Sequence, residues 1–224
     1  MLIEIPNVLT PMQLKQIQDK LAHATFIDGK LSAGSAAQRQ KNNEELPPNS
    51  QLQQELNALV MNNLLRHPIF QSAVLPHRVG SPFYVRYSTG MHYGEHLDDP
   101  IMGPMGQQYR SDVSTSLFLN EPDDYQGGEL VIKTQFGQQK IKLAAGSAIV
   151  YSSTSRHHVA KVTAGERLAA VTWSQSLIRD PDKRQLLYEL SLARDSLLRS
   201  APESQESQYV DSSYMNLMRM WSEL

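Results

Sequence analysis

Apolar positions along the chain recur first at helical spacing. Leu14, Ile17 and Leu21 follow Thr10, Pro11 and Gln13. Thr10 and Gln13 form a T-x-x-Q capping box, and proline suits a first helical turn, where no N–H is required. A helix is therefore predicted to open at Thr10. Leu52, Leu56, Leu59, Val60 and Leu64 make a second stripe and predict a helix over 50–66, ended by His67-Pro68. Between them, residues 28–48 are polar, with Gly29, Gly34 and Pro47-Pro48, and read as irregular. A structureless stretch of that length in a compact domain is commonly functional.

From about residue 73 the period changes. Short β-rich runs follow one another: 82–87, 111–119, 129–134, 138–143, 147–151, 157–162 and 167–176. Gly127-Gly128, Phe136-Gly137, Ala145-Gly146 and Ala164-Gly165 punctuate them. Closely spaced short strands with turn signals predict an antiparallel sandwich, barrel or jelly roll. After Asp180-Pro181 the helical period returns, with Leu186, Leu190, Ala193 and Leu197 as the expected apolar stripe. A Ser/Glu/Gln-rich linker over 200–208 leads to a last amphipathic piece, Tyr214–Trp221, whose Met215, Leu217, Met218 and Trp221 suit core or docking equally. The division expected is helical support over 1–77, a β core over 78–177 and a helical extension over 178–224.

Composition narrows the chemistry. With 21 Lys+Arg against 23 Asp+Glu over 224 residues, bulk charge does not drive nucleic-acid binding. The chain has no cysteine, which excludes disulfides, thiolate metal sites and cysteine nucleophiles together. Met1–Pro6 lacks a basic stretch followed by an apolar one, and no apolar run approaches the length of a membrane span. A soluble cytoplasmic protein without nucleic-acid or membrane partners is the expectation; oligomeric state is open.

The seven histidines carry the next inference. His96-Leu97-Asp98 places an imidazole and a carboxylate two residues apart, so in extended chain both point to one side and can converge on a cation. A third ligand from a distant strand would complete a two-His-one-carboxylate set, which leaves adjacent positions open on non-haem Fe(II). His157 stands 61 residues downstream and Arg167 ten beyond it. A strand, a tight turn near 163–166 and a return strand are expected to bring Arg167 back to the same mouth. There its planar fork suits a carboxylate.

Taken in order, Tyr87-Ser-Thr-Gly90, His96-Leu-Asp98, Gly127-Gly128-Glu129-Leu130, Tyr151 through His157, and Val162 through Arg167 to Trp173 resemble a known family. The chain is similar to the bacterial PKHD-type hydroxylases, Fe(II)- and 2-oxoglutarate-dependent dioxygenases of the prolyl/lysyl hydroxylase type. The resemblance is strongest over 80–177 and extends over nearly the whole chain. It implies a mainly β fold with flanking helices, built on a double-stranded β-helix. His96, Asp98 and His157 would be the iron ligands, and Arg167 would hold the distal carboxylate of 2-oxoglutarate. Tyr87 and Tyr93 fall where relatives place aromatics near the co-substrate, and Trp173 and His158 where a supporting shell is expected. No catalytic residue beyond the metal centre is implied. O₂ is a co-substrate, succinate and CO₂ are products, and ascorbate is the expected reductant. The ten-residue spacing to Arg167 favours His157 over His158, which strand alternation alone leaves open.

Several residues also have plainer readings. His92 can line the entrance or belong to a solvated loop; His23, His67 and His77 read as structural. Arg86 reads as an exposed strand residue and Asp99 as a turn residue before Pro100. Pro100–Tyr109, which contains Met102-Gly103-Pro104-Met105-Gly106, is either a lid or a surface loop. Two other functions remain: a cupin-like metal enzyme without 2-oxoglutarate, which needs no clamp at Arg167, and a non-catalytic iron or 2-oxoglutarate sensor. For a hydroxylase, the family leaves the substrate as a peptidyl proline or lysine or an iron-uptake-related small molecule.

Overall fold

The protein is described by a computed structural model that covers residues 1–32, 34 and 38–224. The chain opens with strand β1 (Leu2–Ile5), then helix α1 (Pro11–Ala22), β2 (Ile27–Asp28), β3 (Lys41–Asn42) and β4 (Glu44–Glu45). Helices α2 (Gln51–Leu64) and α3 (Pro68–Val74) follow. The β region runs through β5 (Pro76–Val79), β6 (Phe83–Ser88), β7 (His92–His96), β8 (Ile101–Met102), β9 (Tyr109–Arg110) and β10 (Val113–Phe118). It continues with β11 (Tyr125–Gly127), β12 (Leu130–Thr134), β13 (Gly137–Ile141), β14 (Ala148–Ser152), β15 (His157–Val159) and β16 (Val162–Ser176). Helices α4 (Pro181–Ser200) and α5 (Gln205–Trp221) close the chain.

Two antiparallel sheets carry the fold. The larger has the order β1-β14-β10-β16-β6-β4-β2, with β5 and β11 also on β16; the smaller is β13-β12-β15-β7-β3. Alternation sorts the side chains. Val113, Leu117, Val150 and Ala170 turn outward from the larger sheet and pack under Ile17, Leu21, Leu56, Val60 and Phe70 of the first three helices. The opposite faces meet between the sheets, where Phe118, Leu130, Ile132 and Tyr151 form one apolar cluster and Val85, Tyr87, Val159 and Ala169 another. The architecture is a mainly β, double-stranded β-helix-like core flanked by helices.

The capping box at Thr10 forms as expected, and Ser50 caps the second helix through Gln53. Five differences from the expected elements have physical causes. The irregular stretch 28–48 contains β3 and β4, short strands that extend both sheets, β3 at the edge of the smaller and β4 between β6 and β2 of the larger. His67 does not only end a helix: its Nδ1 accepts from the Ile69 amide and caps α3. No return turn exists at 163–166, because β16 runs unbroken from Val162 to Ser176 and the chain changes sheets just before it. On α4, Leu186 is 56% exposed, and the buried face is instead Arg184, Leu187 and Ser191. A buried arginine displaced the stripe by one position: Arg184 donates to the carbonyls of Ile178, Arg179 and Asp112. The 200–208 linker is also shorter than expected, since Ser204 caps α5. Leu217, Met218 and Trp221 of α5 pack on Leu75, Ile178 and Leu187, and Met215 is exposed. Among the described residues no helix is long and apolar enough to cross a membrane.

Candidate active site

His96 ends β7 and His157 begins β15, and the two strands pair with these residues opposite one another. Asp98 lies just beyond β7. The three residues bring one ligand atom each within 4.8 Å of one another. His157 Nε2 is 3.7 Å and His96 Nε2 4.0 Å from Asp98 Oδ1. Each imidazole is oriented by its own chain: Nδ1 of His96 bonds the Gly94 carbonyl at 2.8 Å, and Nδ1 of His157 the Ser155 carbonyl at 3.0 Å. Each Nδ1 is thus the donor, leaving Nε2 lone pairs facing Asp98, the arrangement in which outer contacts orient metal-binding imidazoles. Burial, reinforced by His157 nearby, pushes His96 down to about 4, so its ring is neutral at neutral pH.

The pairing of β7 with β15 contains a register shift. His157 faces His96 and Val159 faces Tyr93, so two steps on β15 span three on β7. This bulge lets Tyr93 and His96, which strict alternation would send to opposite faces, share one side. Their rings stack at 3.7 Å and 15°. Across the site the Tyr151 ring meets His157 edge-on at 5.1 Å. Asp98 is held by Ser114 of β10, whose hydroxyl donates to Oδ2 and also shares a 2.8 Å hydrogen bond with Ser153. These serines escaped sequence reading; the available signal was Ser114 and Ser116 on one face of a β run where apolar residues are expected.

Arg167 lies on the other sheet, opposite Tyr87 in the β6–β16 ladder. It is 1% exposed, yet Nε and Nη1 have no hydrogen-bond partner among the described residues. The rings of Tyr87 and Phe118 lie 5.2 and 5.5 Å from its guanidinium carbon. Burial pushes the Tyr87 phenol up to about 12, partly offset by the Arg167 charge, and Tyr125 is raised by burial with the same offset. A buried cation with unmade hydrogen bonds is costly unless an anion completes it.

His96, Asp98, His157, Arg167, Tyr87 and Tyr93 all line one open-mouthed cavity. Trp173 lines it too and packs edge-on against Phe83 at 5.6 Å. Met102 reaches it from the β8–β9 hairpin, so residues 100–109 are a structured hairpin contributing to the rim. His158 is half-buried on the opposite face of β15, where Glu95 is its nearest acidic influence and burial lowers its pKa. His92 pairs with Asn42 outside the cavity lining. Lys41, Asn43 and Glu45, from the polar stretch 28–48, stand on the cavity wall.

The fold and this paired site define a class. Residues 82–175 match the model of the 2OG-Fe(II) oxygenase superfamily. Solved structures share the fold: a prolyl hydroxylase from Trichoplax adhaerens (TM-score 0.56, 18% identity, 83% of this chain and 86% of that one). A Pseudomonas putida prolyl-4-hydroxylase aligns similarly (TM-score 0.52, 18% identity, 78% of this chain and 92% of that one). Within the class the match is closer still. A PKHD-type hydroxylase of Thioalkalivibrio sulfidiphilus is 48% identical over 224 residues, covering all of both chains. The chain belongs to the PKHD-type hydroxylases of the 2OG-Fe(II) oxygenase superfamily and is a dioxygenase enzyme.

Proposed function

We propose that the chain binds Fe(II) through His96 Nε2, Asp98 and His157 Nε2, binds 2-oxoglutarate against Arg167, and hydroxylates an unactivated C–H bond with release of succinate and CO₂. The observation that carries this is the convergence, on one cavity, of an N/N/O donor set and a buried guanidinium with unmade hydrogen bonds. Two imidazoles and one carboxylate suit an open-sided non-haem iron site, and all-N/O donors fit the group. When bound, the iron supplies the oxygen and electron chemistry that protein side chains lack.

The chain's own residues do the rest. The Nδ1 hydrogen bonds keep both Nε2 lone pairs forward, and the Ser114 hydroxyl holds Asp98. Arg167, on the opposite sheet, takes the distal carboxylate and so orients the co-substrate along the cavity. Tyr87 and Tyr93 flank that path, and Trp173 and Phe83 provide an apolar flank that limits water. A cupin-like enzyme without 2-oxoglutarate has no use for Arg167 in this state. The substrate is a peptidyl proline or lysine, in line with the Trichoplax prolyl hydroxylase solved with a peptide fragment, or an iron-uptake-related small molecule. Ascorbate serves as reductant, and the cytoplasm, suited to a chain without cysteine, is the compartment.

Anaerobic Fe(II) loading followed by 2-oxoglutarate-dependent succinate release, across a substrate panel, tests this. His96→Ala should abolish release. Arg167→Ala should raise the 2-oxoglutarate KM about tenfold or more, since charge-assisted hydrogen bonds contribute roughly 1.5–3 kcal/mol. Unchanged turnover in both variants overturns the reading.

A further inference from the structure

Lys41, Asn43 and Glu45 alternate along extended chain and are all buried, at 8%, 3% and 5% exposure. They lie outside the residues matched by the superfamily model, which begin at 82. The strip steps from one sheet to the other. Lys41 pairs with Tyr93 on the histidine-bearing sheet, and Glu45 pairs with Val85 on the arginine-bearing sheet. Asn43 occupies the step, so the strip closes the gap between the two halves of the site.

Its contacts point to the two tyrosines. Lys41 Nζ bonds Glu45 Oε1 at 2.5 Å and Ser32 Oγ at 2.9 Å. The same ammonium lies 5.3 Å from the centre of the Tyr93 ring, which stacks on His96. The Asn43 carboxamide lies beside the Tyr87 phenol, near enough to bias it, without a well-formed hydrogen bond. Its place is set from behind: Gly29 donates its N–H to the Asn43 carbonyl at 2.9 Å, and a Cβ on Gly29 would fall 2.1 Å from Asn43 Oδ1. Because Lys41 and Glu45 neutralise each other, the wall adds no free cation to compete with Arg167 for a carboxylate.

We propose that the Lys41-x-Asn43-x-Glu45 strip is a co-substrate-orienting wall, whose residues are positioning residues that hold Tyr87 and Tyr93 against 2-oxoglutarate between His96 and Arg167. The inference rests on the 2-oxoglutarate reading above. Asn43 supports the tyrosine at the arginine end, and the Lys41–Glu45 pair supports the one at the iron end. Loss of either support lets a ring turn away, so the cost falls on the co-substrate, and the metal keeps its ligands.

The test measures the affinity of the full-length chain for Fe(II), and of the anaerobic Fe(II)-loaded chain for 2-oxoglutarate, by calorimetry. Asn43→Ala, and the double variant Lys41→Met with Glu45→Met, should each weaken 2-oxoglutarate about tenfold while Fe(II) affinity stays within about twofold. The double variant removes both charges, so no unpaired buried ion is left to unfold the protein. Lys41→Arg, which keeps the pair, should bind 2-oxoglutarate within about twofold of wild type. Folded variants that bind 2-oxoglutarate like wild type overturn the proposal. A parallel fall in both affinities, or failure of both variants to fold, also overturns it, by showing a purely structural role. If the wild-type chain itself does not bind 2-oxoglutarate, it is the underlying functional reading that has failed.

Discussion

The Ser114 hydroxyl decides how Asp98 presents itself to its neighbours. Ser114 donates to Oδ2, which leaves Oδ1 turned toward both imidazoles. Removing that hydrogen bond frees the carboxylate without opening the core. Ser114→Ala should therefore weaken Fe(II) binding by about 10–100-fold, the usual cost of losing an outer-shell partner, with little change in melting temperature; unchanged affinity in a metal titration would count against the role. The adjacent histidines should separate in the same titration: His157→Ala loses metal binding, whereas His158→Ala, altered on the far face of β15, keeps it. His96 also makes metal-free stability depend on pH. Its folded value is pushed down to about 4, against about 6.5 in an unfolded chain. Between those values the unfolded state takes up a proton that the folded state refuses, so stability falls as pH drops from about 6.5 toward 4. Melting of metal-free wild type should fall more steeply over that range than melting of His96→Gln; equal slopes refute the assignment.

Arg184 shows how a polar residue can organise a helix. Buried at the start of α4, it satisfies three carbonyls, of Ile178, Arg179 and Asp112, and so fixes the helical extension to the sheet. Asp112 in turn accepts from Arg110 and from the Ser176 amide. Replacement by methionine keeps much of the volume and strands the carbonyls. Arg184→Met should cost about 2–4 kcal/mol of stability, read by denaturant midpoint, without altering Fe(II) affinity. The bulge in β7 is the corresponding device at the site: an extra residue between Tyr93 and His96 puts both rings on one face, where an ideal strand would separate them.

The whole molecule works by setting two sheets face to face. The proposed metal-binding groups come from the smaller sheet and the chain just past β7, and the guanidinium comes from the larger, with the strip at 41–45 spanning the gap. The first three helices lie behind the larger sheet, and Met102 of the β8–β9 hairpin, Leu97 and Trp173 are among the residues that line the cavity. The hairpin is tied at its base, where Arg78 donates to the Gln108 carbonyl and Ser111 to that of Asp99, and its tip residue Met105 is 96% exposed. Shortening residues 103–107 should raise the KM for the primary substrate more than it changes uncoupled 2-oxoglutarate turnover. Equal losses of both would argue against a role over the substrate.

What the sequence determined by itself was local or ordered along the chain. Thr10, Pro11 and Gln13 specify a helix start through contacts within one turn, and the β-rich runs specify strands through alternation. His96, Asp98, His157 and Arg167 were legible as candidates because H-x-D needs only strand geometry and the rest keep a spacing. Tertiary structure alone decided what depends on residues distant in sequence. It showed which of His157 and His158 faces inward, since alternation fixes opposition and not direction. It moved the buried face of α4 onto Arg184, a polar residue whose partners lie on other elements. It carried Arg167 to the cavity by an unbroken β16 and a change of sheet, where a hairpin was expected. It also made a wall of Lys41, Asn43 and Glu45, because strands of two residues gain their definition from the sheets they join.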